Sequence, residues 1–573
     1  MITLTINGQN IEAENGSTIL QAARKANIHI PTLCFLPEVQ AIGACRVCLV
    51  EVEGMGNLQA ACVFPATEGL KVHTNTEKAR KARKFSVEML LSNHPMDCLT
   101  CARNLNCELQ KVAQELGVNE IRFTGAKSKG GIDDSSPSIR RDNSKCILCR
   151  RCVTVCENVQ SVNALALQGR GFETRVETAF GNGLGGVACT NCGQCTLVCP
   201  VGAITEKDDT EGVWDAISDP SKFVIIQDAP AVRAALGEEF GYPPGTLVTG
   251  KMLAAARRLG FDRVFDTNFA ADLTIIEEGS ELLKRIKEGG KLPLITSCSP
   301  GWIKFIEHFY PELLPHLSTC KSPHQMLGAL AKTYFAEKEG VNPKDIVVIS
   351  VMPCTAKKFE CNRPEMTDSG FKDVDYVLTT REFAKMIKEA GIDFRNLEDG
   401  TYDNPMGEYT GAATIFGATG GVMEAALRTA YELVTGKTLE NLDFVAVRGL
   451  EGIKEATIPI EGIGDVKVAV AHGLGNARKL MERIIHGDAD YHFIEIMACP
   501  GGCVGGGGQP IPVNYEIRTL RAQALYNEDK SLKYRKSHEN PSIKKIYDEF
   551  LIEPLGEKSH HLLHTKYTPR SKL

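Results

Sequence analysis

The chain has 573 residues, of which 43% are hydrophobic and 24% charged, with a formal net charge of -6. At roughly 100 to 200 residues per domain, this length predicts three to five domains. Acidic and basic residues are spread along the whole chain, which excludes the basic face of a nucleic-acid-binding protein. No apolar run approaches the roughly 20 residues that cross a bilayer, and the start lacks a signal peptide's basic and apolar segments, so a cytoplasmic location without a membrane span is expected.

The 21 cysteines indicate bound metal. Disulfides are rare in reducing compartments, and an odd number of cysteines cannot pair completely. Residues 1–78 hold the first four of them. Alternating apolar residues before an Asn7-Gly8 turn predict a hairpin that reaches Glu14, and Ser17 or Thr18 can cap the helix that follows. The cysteines, with a central C-x2-C, are Cys34, Cys45, Cys48 and Cys62.

This first segment resembles the β-grasp 2Fe-2S domain of plant-type ferredoxins, in a variant with a longer spacing before the second cysteine. Residues 79–125 follow, and the basic run that begins near Glu77 predicts a helix with a solvated charged face. The segment contains an H-x3-C-x2-C-x5-C run formed by His94, Cys98, Cys101 and Cys107. Because neutral imidazole can complete a four-ligand set, the candidates are a 4Fe-4S cluster or a zinc ion, and the neighbouring cysteine groups favour iron.

Residues 126–210 contain two C-x2-C-x2-C-x3-C runs, after a Gly/Ser-rich stretch at 125–138 that predicts a surface loop. This is the bacterial two-cluster ferredoxin run, in which the fourth cysteine of each run ligates the other cluster. Zinc is disfavoured because zinc sites usually pair two C-x2-C knuckles. We expect one 4Fe-4S cluster on Cys146, Cys149, Cys152 and Cys199, and a second on Cys189, Cys192, Cys195 and Cys156.

From about residue 211 to 510, buried-strand runs alternate with helical stretches, which predicts an α/β domain with a largely parallel sheet. The whole chain is thus expected to be a multidomain α+β and α/β protein. Residues 511–573 predict a charged, helical tail with His560, His561 and His564 at the surface. The predicted strands include Phe223–Ile226, Leu292–Ile295, Ile346–Met352 and Phe444–Val447.

Six cysteines lie outside these groups. Cys320 and Cys361 fit buried structural cysteines. The other four lie in Gly/Pro-rich motifs whose small residues let the backbone approach a bulky inorganic centre: TSCSPGW at 296–302, MPCTAKKFE at 352–360 and EIMACPGGCVGGG at 495–507. These motifs resemble the three signature loops of FeFe (iron-only) hydrogenases, and the resemblance extends over essentially the entire chain. It implies reversible oxidation of hydrogen at an H-cluster, a 4Fe-4S cluster bridged to a diiron centre with carbonyl, cyanide and dithiolate ligands.

The resemblance also implies roles for single residues. Cys354, Cys499 and Cys503 would bind the 4Fe-4S part, and Cys503 would bridge to the diiron centre. Lys357 would donate a hydrogen bond to an iron-bound cyanide, since a lysine in a buried pocket needs an anionic partner. Met352, Met497, Pro323 and Phe416 would line the pocket.

A proton path is implied in the same way. It would run through Glu278, Glu281, Ser318 and Arg285 and end at Cys298. The alternative interpretation of this run is an exposed amphipathic helix. His324 stands where glutamine is common in the family, and a pKa near neutrality would let it affect proton transfer.

Ser299 departs from the family pattern, which carries two adjacent cysteines in the first loop. Three alternatives follow: Ser299 ligates iron through oxygen, Cys298 takes the ligand role, or the active centre is impaired. A non-catalytic electron-transfer subunit and an iron-sulfur scaffold or hydrogen sensor therefore stand as alternative functions.

The likeness is greatest to catalytic subunits of multi-subunit NAD(P)-linked or electron-bifurcating hydrogenases. It implies one 2Fe-2S cluster, three accessory 4Fe-4S clusters and the H-cluster, and a helical tail at 511–573 that is similar to a hydrogenase small subunit. The expected partners are ferredoxin, flavin- and NAD(P)-binding subunits in a hetero-oligomer, and maturation proteins. The loop at 471–478 has only two of the three glycines of a dinucleotide fingerprint, so an ordinary strand-to-helix turn is favoured there and a nicotinamide site is expected on another subunit.

Overall fold

The computed structural model describes residues 1–37, 39–128 and 130–572. Within them the chain forms two compact units: the first comprises Met1–Val159, Asn163–Val187 and Val198–Thr205, and the second comprises Gln160–Val162, Ala188–Leu197 and Glu206–Leu573. Among the described residues, no helix combines the length and apolar character that crossing a bilayer requires.

The first unit begins with a five-stranded sheet whose first two strands form the predicted hairpin. Thr18, rather than Ser17, caps the following helix, in a capping box with Gln21. The helix and the sheet share one apolar core. The sheet order is Gln9–Ala13, Ile2–Ile6, Lys71–His73, Leu49–Val52 and Gln59–Ala60, and the helix is Ile19–Lys25.

The predicted basic helix is present as Glu77–Asn93, but its charged face is not wholly solvated. Arg83 is 5% exposed and donates from Nε to the carbonyl oxygen of Leu49 at 2.7 Å. The expected surface loop at 125–138 is also partly wrong, because Ser136 and Ser138 are completely buried. The remaining strands and helices of this part of the chain are Glu108–Glu115, Ile132–Asp133, Ile139–Asp142, Arg151–Thr154, Ala166–Gln168, Arg175–Glu177 and Ile204–Glu206.

The second unit contains two four-stranded sheets. One is entirely parallel, in the order Arg263–Asp266, Phe223–Asp228, Ile346–Met352 and Tyr376–Thr379. The other is parallel except for its last pair, in the order Leu294–Ile295, Phe493–Met497, Gly464–His472 and Ile453–Ile460. The largely parallel sheet is therefore confirmed.

The predicted strand Phe444–Val447 is wrong, because Val445–Val447 forms a 3-10 turn and Val445 is 74% exposed. A run of four apolar residues does not by itself fix a strand. Only the last two residues of Leu292–Ile295 form a strand. Pro293 cannot donate a ladder hydrogen bond.

Helices surround both sheets, and the longest, Thr267–Glu288, is buried along most of its length. The turn after Gly464–His472 is an ordinary strand-to-helix turn, as predicted. The helices of this part of the chain are Gln194–Val198, Thr210–Ser218, Pro230–Arg233, Thr249–Leu259, Thr267–Glu288, Pro300–Phe309, Pro323–Leu330, Ala336–Glu339, Ala356–Glu360, Thr380–Glu389, Gly411–Thr414, Gly421–Thr435, Leu474–Ile485, Tyr515–Ser531, Pro541–Ile546 and Glu557–Leu563.

The C-terminal region is helical, as predicted, but it packs into the second unit. Arg521 is completely buried and pairs with Glu238 at 2.7 Å. His560 and His561 are exposed as expected. His564, however, is only 3% exposed, so its surface assignment is wrong. Leu562 and Leu563, at the end of the helix Glu557–Leu563, are buried in the hydrophobic core, and His564 is buried because it directly follows them.

Candidate active site

A cavity of about 80 Å³ lies in the second unit, where the carboxyl ends of several parallel strands meet. Ligand sites in parallel sheets usually form at such ends. Cys354 comes directly after the strand Ile346–Met352, and Cys499 after the strand Phe493–Met497. Ala229 and Pro230 follow the strand Phe223–Asp228. The lining residues are Cys192, Ala229, Pro230, Thr267, Ala271, Cys298, Ser299, Pro300, Gly301, Pro323, His324, Met352, Pro353, Cys354, Ala356, Lys357, Phe416, Met497, Ala498, Cys499, Gly502, Cys503 and Gly506.

All three signature motifs therefore contribute to one cavity. Four predicted pocket residues, Met352, Met497, Pro323 and Phe416, are among its lining residues. The cavity is also lined by Ala229, Pro230, Thr267 and Ala271, which could not be predicted because these small or uncharged residues come from elements with no cysteine motif.

The cavity presents three thiols that suit an iron cluster. Burial raises the pKa of Cys354, Cys499 and Cys503, to about 12 for Cys503, and the charge of Cys354 adds to the shift at both other thiols. Iron ions favour the thiolate form that burial and mutual repulsion disfavour. The three thiols therefore fit a 4Fe-4S cluster. Gly502 and Gly506 also line the cavity, and because glycine has no side chain they leave space for the cluster.

Ser299 lies beside these thiols. It borders the cavity, and its Oγ accepts a hydrogen bond from the backbone N–H of Ala498 at 3.2 Å. Cys298 also borders the cavity and packs against the apolar cluster that contains Phe416 and Met497. Both side chains thus reach the same space, and the choice between them as a ligand stays a prediction.

Lys357 has an anionic partner inside the protein. Its Nζ lies 3.0 Å from Oε2 of Glu360 and 3.1 Å from Oγ of Ser322. Although burial opposes ionisation of Glu360, Lys357 and His324 hold its pKa at about 2. The protein itself thus supplies an anionic partner for Lys357, and the hydrogen bond to an iron-bound cyanide stays a prediction.

His324 does not titrate near neutrality, contrary to expectation. It is completely buried, and burial together with the charge of Lys357 lowers its pKa to about 4. Its Nε2 lies 2.7 Å from Oε2 of Glu360 and its Nδ1 lies 3.1 Å from Oγ of Ser350. A neutral imidazole between two fixed polar partners positions Glu360 and exchanges no proton near pH 7.

The residues of the predicted proton path are neighbours. Nη2 of Arg285 lies 2.5 Å from Oε1 of Glu281, and the Ser318 hydroxyl donates to Oε2 of Glu281 at 3.1 Å. Burial raises the pKa of Glu278 to about 8, and the charge of Glu281 adds to this shift. Burial, and then the charge of Glu278, raises the pKa of Cys298.

The alternative interpretation, an exposed amphipathic helix, is wrong. Glu277, Glu278 and Glu281 are 0%, 2% and 8% exposed on the helix Thr267–Glu288. Carboxyl groups are rarely buried without hydrogen-bond partners or a function. Their burial places a row of titratable groups inside the fold.

In the first unit, the thiols of Cys34, Cys45, Cys48 and Cys62 are close together. Hydrogen bonds from Cys45 and Cys62 lower the pKa of Cys34, while those with Cys34 raise the pKa of Cys45 and Cys62. Hydrogen bonds thus link Cys34 to Cys45 and Cys62, and Cys62 to Cys48, and four sulfur atoms joined in this way match the donor set of a 2Fe-2S cluster.

His94 is 9% exposed, and burial lowers its pKa, so its imidazole is neutral. Its Nδ1 is buried and has no hydrogen-bond partner among the described residues. Burial raises the pKa of Cys107, and the charge of Cys101 adds to the shift. An unpartnered neutral nitrogen fits a metal-ligand role, and a ligand set that joins His94 to Cys98, Cys101 and Cys107 stays a prediction.

Cys146, Cys149, Cys152 and Cys199 line one small cavity of about 20 Å³. Burial raises the pKa of Cys146 to about 11, and the charge of Cys199 adds to the shift. This donor set fits the first of the two expected 4Fe-4S clusters. Cys156 belongs to the first unit and Cys189, Cys192 and Cys195 belong to the second, so the other ligand set stays a prediction. Cys320 and Cys361, expected to be structural, are buried.

Comparison with known proteins agrees with this geometry. Five family models match along the chain: a 2Fe-2S iron-sulfur cluster binding domain at 1–77, the NADH-ubiquinone oxidoreductase-G iron-sulfur binding region at 83–122, a 4Fe-4S dicluster domain at 145–203, the C-terminal domain of the iron-only hydrogenase large subunit at 222–507, and the iron hydrogenase small subunit at 515–570.

The chain belongs to the iron-only (FeFe) hydrogenase family. It is 52% identical to the NADP-reducing hydrogenase subunit HndD of Solidesulfovibrio fructosivorans, with 100% of both chains covered. It is 43% identical to iron hydrogenase 1 of Clostridium pasteurianum, over 99% of this chain and 100% of the relative. A solved structure of the FeFe hydrogenase HydA1 of Chlamydomonas reinhardtii covers 64% of this chain and 100% of its own, with 47% identity and a TM-score of 0.58.

The protein is thus a multidomain hydrogenase that mixes helix and sheet, with 2Fe-2S and 4Fe-4S ferredoxin-like domains and an FeFe hydrogenase catalytic domain. The match to the small-subunit model lies in the same chain as the match to the large-subunit model.

Proposed function

We propose that this chain catalyses the reversible oxidation of hydrogen to protons and electrons in the cavity of its second unit. The observation that carries the proposal is the convergence of two separate loops on the cavity that Cys298 also borders. One loop contributes Cys354 and Lys357, and the other contributes Cys499 and Cys503. The cavity offers thiols that can bind iron and a cation that can hold an anionic ligand. It also contains the end of a chain of titratable groups, and these features together suit hydrogen chemistry.

Cys354, Cys499 and Cys503 would hold the H-cluster, and Ser299 or Cys298 would supply the remaining ligand atom. When bound, the diiron centre supplies the metal at which hydrogen is formed or cleaved. Lys357 would hold an anionic cyanide ligand of that centre by a charge-assisted hydrogen bond. The apolar side chains of Met352, Met497 and Phe416 would keep water away from the reacting atoms.

The protons would pass between Cys298 and Glu281 by way of Glu278 and Ser318. Glu278 suits this transfer because a carboxyl group with a pKa of about 8 both binds and releases a proton near neutral pH. The Ser318 hydroxyl accepts and donates hydrogen bonds, so it can pass a proton between two carboxyl groups. Arg285 would hold Glu281 in place through its 2.5 Å ion pair.

The electrons would travel through one 2Fe-2S cluster and three accessory 4Fe-4S clusters, held by the cysteine groups and His94. We further propose that ferredoxin, or a partner subunit carrying flavin and NAD(P), exchanges these electrons. The 52% identity to a relative named as an NADP-reducing hydrogenase subunit supports a multi-subunit assembly. The chain's location would be cytoplasmic, and maturation proteins would assemble the diiron centre.

Infrared spectroscopy of the anaerobically matured protein tests the proposal. Bands from iron-bound carbonyl and cyanide that shift under hydrogen are the expected result. Their absence, with iron content accounting only for the accessory clusters, would leave a non-catalytic electron-transfer subunit, scaffold or sensor.

Iron analysis and electron paramagnetic resonance spectra test the ligand at position 299. If Ser299 ligates iron, Ser299→Ala lowers the iron content and Ser299→Cys restores it with a changed electron paramagnetic resonance signal. Ser297→Ala, at a neighbouring buried hydroxyl that donates to the carbonyl of Cys320, is the matched control. Equal iron and equal spectra in Ser299→Ala would assign the ligand role elsewhere.

The partner proposal has a separate test. The purified chain is expected to reduce a viologen dye with hydrogen much faster than it reduces NAD or NADP. Equal rates with the dye and with a nicotinamide would contradict the need for a partner subunit.

A further inference from the structure

The C-terminal segment lies directly against the predicted proton path. The backbone N–H of Thr565 donates to the carbonyl of Thr319 at 2.7 Å, and the N–H of Lys321 donates to the carbonyl of Leu563 at 2.8 Å. This short antiparallel pairing fixes His564 opposite Cys320. His564 is thereby held inside the fold beside Glu281, although the two residues lie far apart in the sequence.

A continuous chain of hydrogen bonds joins the two side chains. Oε2 of Glu281 accepts from the Thr319 hydroxyl at 3.2 Å, and Oγ1 of Thr319 lies 2.8 Å from Nδ1 of His564. On the far side of the ring, Nε2 of His564 lies 3.2 Å from Oε2 of Glu277. Both ring nitrogens are therefore connected to titratable groups.

The Thr319 hydroxyl is suited to pass protons because it has one hydrogen and two lone pairs. It can donate to Glu281 while it accepts from His564, or it can do the reverse. In the first arrangement the Nδ1–H bond of the imidazolium breaks, a new O–H bond forms on Thr319, and the original Thr319 proton moves to the Glu281 carboxylate. One proton is transferred, and no electrons move.

Arg285, the other partner of Glu281, cannot do the same. A guanidinium group keeps its proton at any physiological pH, so Arg285 positions Glu281 and stabilises its charge without donating a proton. Imidazole gains and loses a proton near neutrality. Of Arg285 and His564, the histidine is the one whose chemistry suits proton transfer.

The His564 ring is one residue layer from solvent. The exposed His560 stacks on it, with ring centroids 4.7 Å apart and planes 5° from parallel. The charged or titratable groups near His564 are Glu277 and Glu281 on the long helix, Cys320 in the adjacent segment, and His560 on its own helix. Tyr547 donates to Glu277 at 2.5 Å and so fixes the carboxylate behind the ring.

We propose that His564 exchanges protons with Glu281 through the Thr319 hydroxyl and so forms a second branch of the proton path, supplied from the C-terminal segment. This inference rests on the proposed hydrogenase function. His564 acts through Glu281 and not on the reacting atoms, so it is a positioning residue of the path.

Four variants of the full, matured chain test the branch. His564→Gln keeps a side chain that can hydrogen-bond but cannot titrate. Thr319→Val keeps the shape of threonine without its hydroxyl, and Thr319→Ser restores the hydroxyl. His561→Gln changes an exposed neighbouring histidine outside the hydrogen-bonded chain and is the matched control.

Dye-linked hydrogen evolution is measured from pH 6 to 9 in water and in deuterium oxide. We expect His564→Gln and Thr319→Val each to lower kcat about tenfold without changing the KM for the dye. This is less than the roughly hundredfold loss typical of a removed proton-transfer group, because the other residues of the path remain. The double variant should be no slower than either single variant. Thr319→Ser should recover most of the rate that Thr319→Val loses, and His561→Gln should match the unchanged protein.

A second readout does not depend on turnover. The infrared carboxyl band that disappears in Glu281→Gln should shift in frequency in His564→Gln, because its hydrogen-bonded chain is cut. Intact carbonyl and cyanide bands show that the active centre is unaffected by each variant. If His564→Gln does not fold, the Thr319→Val and Thr319→Ser pair decides the question.

Two results overturn the inference, and they are distinguishable. If the unchanged protein evolves hydrogen and His564→Gln keeps both its rate and its pH profile, the branch is wrong while the proposed function stands. If the unchanged protein shows neither turnover nor carbonyl and cyanide bands, the proposed function is wrong and the branch falls with it.

Discussion

Replacing Glu278 by glutamine should separate the stability of the second unit from its activity. Glu278 is 2% exposed, and burial raises the pKa of its carboxyl from 4.5 to about 8. A carboxyl group with a raised pKa in the folded state binds its proton more tightly there than in the unfolded chain. Its contribution to stability is therefore present at low pH and is lost as the pH rises from about 4.5 to about 8.

The size of this loss follows from the shift. A displacement of about 3.5 pKa units at 1.36 kcal/mol per unit gives a maximum of about 5 kcal/mol, and about 4 kcal/mol of it falls between pH 5 and pH 9. Glutamine has the same shape and carries no charge at any pH. The unfolding free energy of Glu278→Gln minus that of the unchanged protein should thus increase by about 4 kcal/mol between pH 5 and pH 9.

Urea unfolding at pH 5, 7 and 9 measures the effect. The two tryptophans, Trp214 and Trp302, both lie in the second unit and report its unfolding by fluorescence. Comparing the variant with the unchanged protein at each pH cancels the titration of the groups that do not interact with Glu278. At each of these pH values the variant should evolve hydrogen at least about a hundredfold more slowly than the unchanged protein, the loss typical of a removed proton-transfer group. A stability difference that does not change with pH would refute the argument from burial.

Three further predictions follow from the sites described above. Glu360→Gln should lower the unfolding free energy by about 3 kcal/mol in the same urea experiment, because it leaves Lys357 unpaired in a buried site. The control Lys385→Gln removes an ion pair with Asp208 that is about half exposed, and it should cost less than about 1 kcal/mol. His94→Ala should lower the iron content by about four atoms per chain. The control His73→Ala, at an exposed histidine paired with Glu53, should leave the iron content unchanged. Equal iron in both variants would favour a role for His94 other than ligation. Cys354→Ser should remove the infrared bands of the active centre, and Cys361→Ala should retain them, since Cys361 is buried in the hydrophobic core; bands in both variants would contradict the assignment of Cys354.

The sequence was most informative where function depends on local spacing. The cysteine runs could be recognised because an iron-sulfur cluster draws most of its ligands from one short loop. The parallel sheet of the second unit could likewise be predicted, since strands such as Ile346–Met352 are apolar on both faces.

Contacts between distant segments could not be read in this way. His564 looked like a surface histidine because it follows a charged stretch, and only the pairing of residues 563–565 with 319–321 brings it inside. Glu360 lies in the same motif as Lys357, yet its role as the anion appears only when the helix Ala356–Glu360 places both side chains on one face. Charge compensation depends on three-dimensional neighbours, which spacing alone leaves open.

The way the C-terminal region is attached suggests that the enzyme could be built from two polypeptides. Residues 511–514 are partly or fully exposed and lie outside any helix or strand. Beyond them, Arg521 pairs with Glu238 at 2.7 Å, and Asp529 pairs with Arg428 at 2.9 Å, both with the arginine completely buried. These pairs would guide reassociation of a separately expressed fragment. A hydrogenase divided at this point would be an assembly whose activity could be switched on by mixing.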